Sequence, residues 1–280
     1  MFARMSGAAM RGLFVALLIA TPALLLPEVA EHQSQIVVLV ALLAAFLTFV
    51  EYNSNAPSIV EFRDAPPFNR VRYITLFTTV FVLTAIAKGK TDPSALTNGL
   101  ASIGLIVGNS IDFPYSPVRL VVLMLPSGVS MERIEDVRVA AGLAYMISLA
   151  ALATFVLIVR IGGWPVRQRA FNVWVNLPLF DPTAGGDVVL RLRRDARFNI
   201  AFGFLLPFII PAVVKATSDL LDPITLEHPQ TLIWTITAWA FLPASMIMRG
   251  IAMNRVAELI EAKRRRAYMN AQKEAEYQAA

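Results

Sequence analysis

The chain has 280 residues, of which 56% are hydrophobic and only 16% charged, and its mean hydropathy is +0.60. Too few charges remain to cover a water-soluble body of this size, so a lipid environment is the economical reading. The absence of cysteine excludes disulfides, thiolate metal sites and thiol nucleophiles, and only His32 and His228 remain for imidazole chemistry.

Apolar runs at 12–27, 35–51 and 73–87 open the chain, and longer ones follow at 139–161, 199–220 and 231–249. The last three have about the 20 residues that a hydrocarbon core requires, and the first three sit at or below the lower limit. The stretch RGLFVALLIATPALLLPEVAEHQ lacks a small-x-small cleavage site before its acidic loop, so the first helix is expected to stay as an anchor.

Between the second and third runs lies EYNSNAPSIVEFRDAPPFNR, residues 51–70. Ser58 and Glu61 have the spacing of a capping box, with Pro57 placed to staple Phe62 and Pro66-Pro67 to stop the helix. The spacing predicts a short interfacial helix over 58–64 with Ile59 and Phe62 on one face. Asn53 and Asn55 read as turn residues ending the preceding helix. Arg63, Asp64, Asn69 and Arg70, with Glu51, are the side chains left for a partner contact or for chemistry.

The segment TDPSALTNGLASIGLIVGNSIDFPYSPVRLVVLMLP predicts a helix from Pro93 to about Gly108, a turn at 109–117 and an apolar return arm. That is the layout of a re-entrant hairpin, or of one lying on the outer leaflet. A re-entrant hairpin lining a water path would bring Asn109, Ser110 and Asp112 near its tip. A packed one would use the close approach that Gly104 and Gly108 permit.

Loop arginines and lysines resist translocation, which turns the net charge of +5 into a topology argument. Six spans with the N-terminus inside and 88–138 outside keep 19 of the 25 basic residues inside. Seven spans with the N-terminus outside keep 16 and form the alternative. Six spans are preferred.

Trp164, Trp174, Phe171 and Phe180 accompany Arg167, Arg169, Arg191, Arg193, Arg194 and Arg197 in the segment 164–198. Aromatic rings at headgroup depth beside guanidinium groups suit anionic lipid. No nucleic-acid motif is present, so no nucleic-acid partner is expected. Pro207 and Pro211 favour a kink in the fifth run, and Lys215 near its end can snorkel. TDP, FDP and LDP, at 91–93, 180–182 and 221–223, read as helix starts. Glu31-His32 and Glu227-His228 share a face in the preferred topology, a candidate divalent-cation site should the loops adjoin.

The expected fold is an all-α polytopic membrane protein of six transmembrane helices, with an external re-entrant or interfacial hairpin. Residues 1–250 form the transmembrane domain, with the hairpin at about 93–126 and a cytoplasmic loop at 52–72. Residues 251–280 form a cytoplasmic helical tail, and the expected compartment is a bacterial inner membrane with both termini inside. Three function classes follow. The first is a non-catalytic subunit or assembly partner among other membrane-protein subunits. The second is a channel or transporter built on 99–126, and the third an interfacial enzyme using 51–72, which has no recognisable metal, Ser/His or phosphate-loop motif. The sequence names no cofactor.

Overall fold

The computed structural model describes residues 2–26, 31–126, 128–165, 171–181, 185–217 and 226–279. It is all-helical, without a strand among the described residues. In chain order the helices are α1 (Phe2–Leu25), α2 (Glu31–Asn53), α3 (Phe68–Gly89), α4 (Ala95–Ile111), α5 (Pro117–Leu123), α6 (Met131–Ile161), α7 (Val173–Asn176), α8 (Val188–Thr217) and α9 (Pro229–Ala279). Six of these, α1, α2, α3, α6, α8 and α9, are long and apolar enough to cross a membrane. Each holds most or all of one of the six apolar runs. The helices extend beyond the runs because backbone hydrogen bonding continues into polar residues, whereas hydropathy marks only the part suited to lipid.

α3, α6 and α9 pack on one another, α8 packs along α9 and against α5, and α1, paired with α2, packs against α3. Glycine sets the closest crossings. A Cβ on Gly12 would stand 2.7 Å from the Ala45 carbonyl oxygen of α2, and one on Gly203 of α8 would stand 2.7 Å from the Pro243 carbonyl oxygen of α9. Pro211 lacks the amide that would bond the Pro207 carbonyl. Trp239 Nε1 donates to that carbonyl at 3.1 Å, so the acceptor freed in α8 is satisfied by its neighbour.

Two buried clusters divide the bundle along its length. One, around Leu83, Val121, Val137, Ile236 and Trp239, fills the end where α4 and α5 lie. The other, around Phe62, Phe68, Phe155, Trp164, Leu192 and Met253, fills the end where the loops after α2 and α6 meet. The second end gathers Arg4, Arg11, Arg63, Arg249 and Arg255 and is called the basic end below.

α4 departs from expectation in two details. Ser94, not the Asp92-Pro93 pair, caps it, through a reciprocal box with Thr97. The helix also runs three residues past Gly108, so Asn109 and Ser110 are helical and the turn is confined to 112–116. Gly108 does not break the helix because it is packed: a Cβ there would meet the Arg138 carbonyl oxygen at 3.0 Å, and one on Gly142 would meet Gly108 Cα at 2.7 Å. At the start of this segment, Lys90 Nζ lies 2.6 Å from Asp136 and 3.1 Å from Glu132, on the first turns of α6. The end of α3 and the start of α6 are therefore held together.

Burial works against the Lys90 ammonium, but hydrogen bonds and charge from Asp136 and Glu132 outweigh it and raise its pKa above the ordinary lysine value. Of the remaining Asp-Pro helix starts, Pro182 and residues 222–223 lie outside the described residues.

Candidate functional site: the polar network of the basic end

The loop between α2 and α3 does not form the expected helix: residues 58 and 59 are bends and 61–64 turns. Its organising group is Glu51, in the last turn of α2. That carboxylate accepts from the amides of Ser58 (3.0 Å), Ile59 (3.0 Å) and Val60 (3.1 Å), and from the Ser58 hydroxyl at 2.5 Å. Three successive amides converging on one anion make a nest. The Ser58–Glu61 capping box is thus overturned: the Ser58 hydroxyl donates to Glu51, and Glu61 turns inward. Arg249 of α9 grips Glu61 with Nε at 2.6 Å and Nη2 at 2.7 Å, a bidentate pair in which the carboxylate is nearly buried.

Ile59 and Phe62 do not share a face, since Ile59 is exposed and Phe62 is buried. Phe62 adopts φ of 52°, and two interactions hold it there. Its amide donates to the Asn176 carbonyl at 2.7 Å, and its ring packs on Phe68 and Trp164. Asn176 also accepts from the Asp64 amide at 3.0 Å, stitching this loop to α7.

Arg63 reaches the end of α2, donating from Nη1 to the carbonyls of Glu51 (3.0 Å) and Ser54 (2.7 Å). It satisfies helix-terminal acceptors and keeps only 8% of its side chain exposed. Asn69 donates to the Glu61 carbonyl at 2.7 Å. Of the four residues expected to contact a partner, Asp64 and Arg70 are exposed, while Arg63 and Asn69 serve the loop itself. Behind them the Arg72 guanidinium lies 5.4 Å from the Phe68 ring, its buried Nε without a hydrogen bond among the described residues.

Arg4, Gly7, Arg11, Tyr52, Arg63 and Asp64 line an open cleft of about 370 Å³. Arg4 donates to Asn55 Oδ1 at 2.8 Å and to the Ser54 carbonyl, and Arg11 to the Gly7 carbonyl at 2.7 Å. The Arg11 guanidinium stacks over the Tyr52 ring at 4.6 Å.

The hairpin residues have structural partners. Arg138 Nε donates to Asp112 Oδ2 at 2.7 Å, and Arg119 Nε lies 2.9 Å from Oδ1 without hydrogen-bond alignment. Asp112 ties the α4–α5 turn to α6. Ser110 bonds back to the Ile106 carbonyl, and Asn109 stands 3.5 Å from Arg138.

Among the residues expected at a lipid interface, Trp164 is corrected. It is 4% exposed, surrounded by Phe62, Phe68 and Phe155, and donates from Nε1 to the Ala65 carbonyl at 3.1 Å. The indole suits a core with one carbonyl as well as it suits a headgroup layer. Trp174 is exposed; Arg191 stacks on Phe180, Arg193 pairs with Glu261, and Arg194 is mostly exposed beside Asp195. Arg167 and Arg169 lie outside the described residues, as does the His32 side chain. His228 is exposed, and no group of three potential metal ligands occurs among the described residues.

The sequence reading missed Arg249, Arg11 and Tyr52. A signal for Arg249 existed: an arginine at the edge of an apolar run calls for a carboxylate, and Glu61 was assigned elsewhere. No family model matches the chain, and no curated protein or solved structure is significantly similar to it.

Proposed function

We propose that the chain is a non-catalytic subunit or assembly partner of a membrane complex, spanning six times with the basic end cytoplasmic. The observation that carries this reading is the length of α9. Every residue from 262 to 278 is exposed, about 25 Å of helix continuing past the body, and among the described residues none beyond Arg265 makes an ion pair or side-chain hydrogen bond. A solitary helix of that length is marginal in water, so a binding partner is its natural stabiliser. Its base is fixed in direction by Arg264–Asp187 at 2.9 Å and by Arg193–Glu261.

Lys263, Arg264, Arg265, Arg266 and Lys273 outnumber Glu274 and Glu276 on this projection, and Tyr268, Met269 and Tyr277 are exposed on it. The partner it fits is a subunit presenting an acidic helical surface with apolar contacts. Arg70 and Asp64 are the loop side chains available to the same partner. Of the side chains an interfacial enzyme would draw on, Glu51, Arg63 and Asn69 are engaged in internal bonds. The Lys90 contacts favour the six-span topology, because a single crossing by 99–126 would carry Lys90 and Glu132 to opposite faces.

Mild-detergent purification of the tagged chain, whole and truncated after Arg266, tests the proposal. A stoichiometric companion with the whole chain, lost on truncation while the body stays monodisperse, is expected. A companion retained by the truncated chain, or none with the whole one, overturns it.

A further inference from the structure

We infer that the cleft at the basic end binds a phosphoryl anion, either the headgroup of an acidic phospholipid or a soluble phosphate. The cleft is built by the first turns of α1 (Arg4, Gly7, Arg11), the last turn of α2 (Tyr52) and the following loop (Arg63, Asp64). Its volume of about 370 Å³ falls at the small end of ligand pockets, roughly 300–1,000 Å³.

Charge is the first argument. Of the other inward-facing arginines, Arg249 meets Glu61, and Arg119 and Arg138 meet Asp112, while Arg72 lies over Phe68. Arg4 and Arg11 meet none among the described residues. The cleft's one carboxylate, Asp64, is 60% exposed and already beside Arg63 at 3.2 Å. The nearby carboxylate of Glu51 is turned into the amide nest of residues 58–60. Three guanidinium groups thus share a concave surface with a single acid, an arrangement that repels itself until an anion enters.

Donor capacity is the second. Arg11 donates only from Nη1 among the described residues, leaving Nε and Nη2, and Arg63 Nη2 is likewise uncommitted. Planar guanidinium forks match the spacing of phosphoryl oxygens. Stacking over Tyr52 fixes the Arg11 plane at 4.6 Å, and Gly7 leaves room for it: a Cβ there would stand 3.1 Å from Arg11 Nη1.

The cleft's setting is the third. Leu13, Phe14 and Leu17 on α1 and Leu47 and Val50 on α2 are exposed just beyond it, an apolar face for acyl chains below a phosphate cradle. This inference does not depend on the subunit reading.

The test uses the whole chain in phosphatidylcholine nanodiscs with and without phosphatidylglycerol, with lipid retention read by native mass spectrometry. A parallel arm reads the unfolding temperature in detergent with added inorganic phosphate. One tightly retained phosphatidylglycerol per chain is expected, with Arg11→Gln and Arg4→Gln each weakening retention about tenfold. Arg194→Gln, whose side chain is 73% exposed away from the cleft, should leave retention unchanged. Stabilisation by inorganic phosphate that Arg11→Gln abolishes, without lipid retention, assigns the site to a soluble phosphate. Should Arg11→Gln fail to fold, Arg11→Lys keeps the charge and loses the fork, and its retention should still fall. Equal weakening by Arg194→Gln, or no specific response to either probe, refutes the inference.

Discussion

Glu61 at the basic end and Asp112 at the other are both almost buried carboxylates held by arginine, with 8% and 5% of their side chains exposed. They are held differently. Glu61 receives both of its hydrogen bonds from one guanidinium, 188 residues away on α9. Asp112 is shared by Arg119 and Arg138, 7 and 26 residues away. One is a single long-range fastening between a loop and the last span, whereas the other is a local clamp with a spare. The loop at the basic end is therefore fastened to α9 by one polar pair, whereas the α4–α5 turn is held both by its clamp and by the close backbone approach of α4 to α6.

The sharpest way to break this contrast is Arg249→Met, which leaves Glu61 buried without a partner. It should cost about 3–5 kcal/mol, read as a lowered unfolding temperature in detergent. A loss no greater than that of a surface substitution would remove Glu61–Arg249 as the fastening.

Gly142→Ala probes the opposite end. Its Cβ would meet Gly108 Cα at 2.7 Å, backbone that cannot move aside cheaply. A cost of about 1–3 kcal/mol is expected, with faster hydrogen exchange in α4 and unchanged exchange in 54–67. Exchange that rises equally at both ends would show the ends to be one cooperative unit.

Arg138→Met or Arg119→Met alone should cost less, about 1–2 kcal/mol, because the other arginine still neutralises Asp112. The double variant should exceed the sum of the two, and strict additivity in a double-mutant cycle would contradict the shared clamp.

The smallest effect concerns the base of the projecting helix. The Asp187 carboxyl accepts from the Val189 amide and from Arg264, and both lower its pKa below the ordinary 3.8. A depressed carboxylate contributes above its unfolded pKa and loses that contribution as pH falls through the folded one. Loosening of the α8 start from α9 is therefore expected only below about pH 4. Distance labels on the exposed positions 190 and 268 should report it, and Asp187→Asn should show the loosened distance at neutral pH.

The six helices long and apolar enough to cross a membrane were legible because each holds most or all of an apolar run of fifteen residues or more. Gly104 and Gly108 were legible as a packing face. The polar interior was not. Ser58 and Glu61 satisfy a local rule, but the pattern omits Glu51, which lies close enough to take the amides, and Arg249, which takes the carboxylate from across the bundle. Trp164 was misplaced for a related reason: an amphipathic ring has the same sequence signature in a headgroup layer and beside one buried carbonyl. Local patterns specify what a residue can bond, and tertiary proximity decides which candidate reaches it first.

The bond from Trp239 to the Pro207 carbonyl bears on how the chain enters the bilayer during synthesis. Until α9 emerges, the carbonyl left open by Pro211 has no donor, and hydrocarbon offers none. The fifth span is thus incomplete as a solitary inserted helix, and the sixth supplies its missing donor from a residue 32 positions later. Insertion as a two-helix unit follows, and in a nascent chain halted before Trp239 the fifth helix should crosslink to the insertion machinery, whereas halting after α9 should leave it crosslinking to lipid.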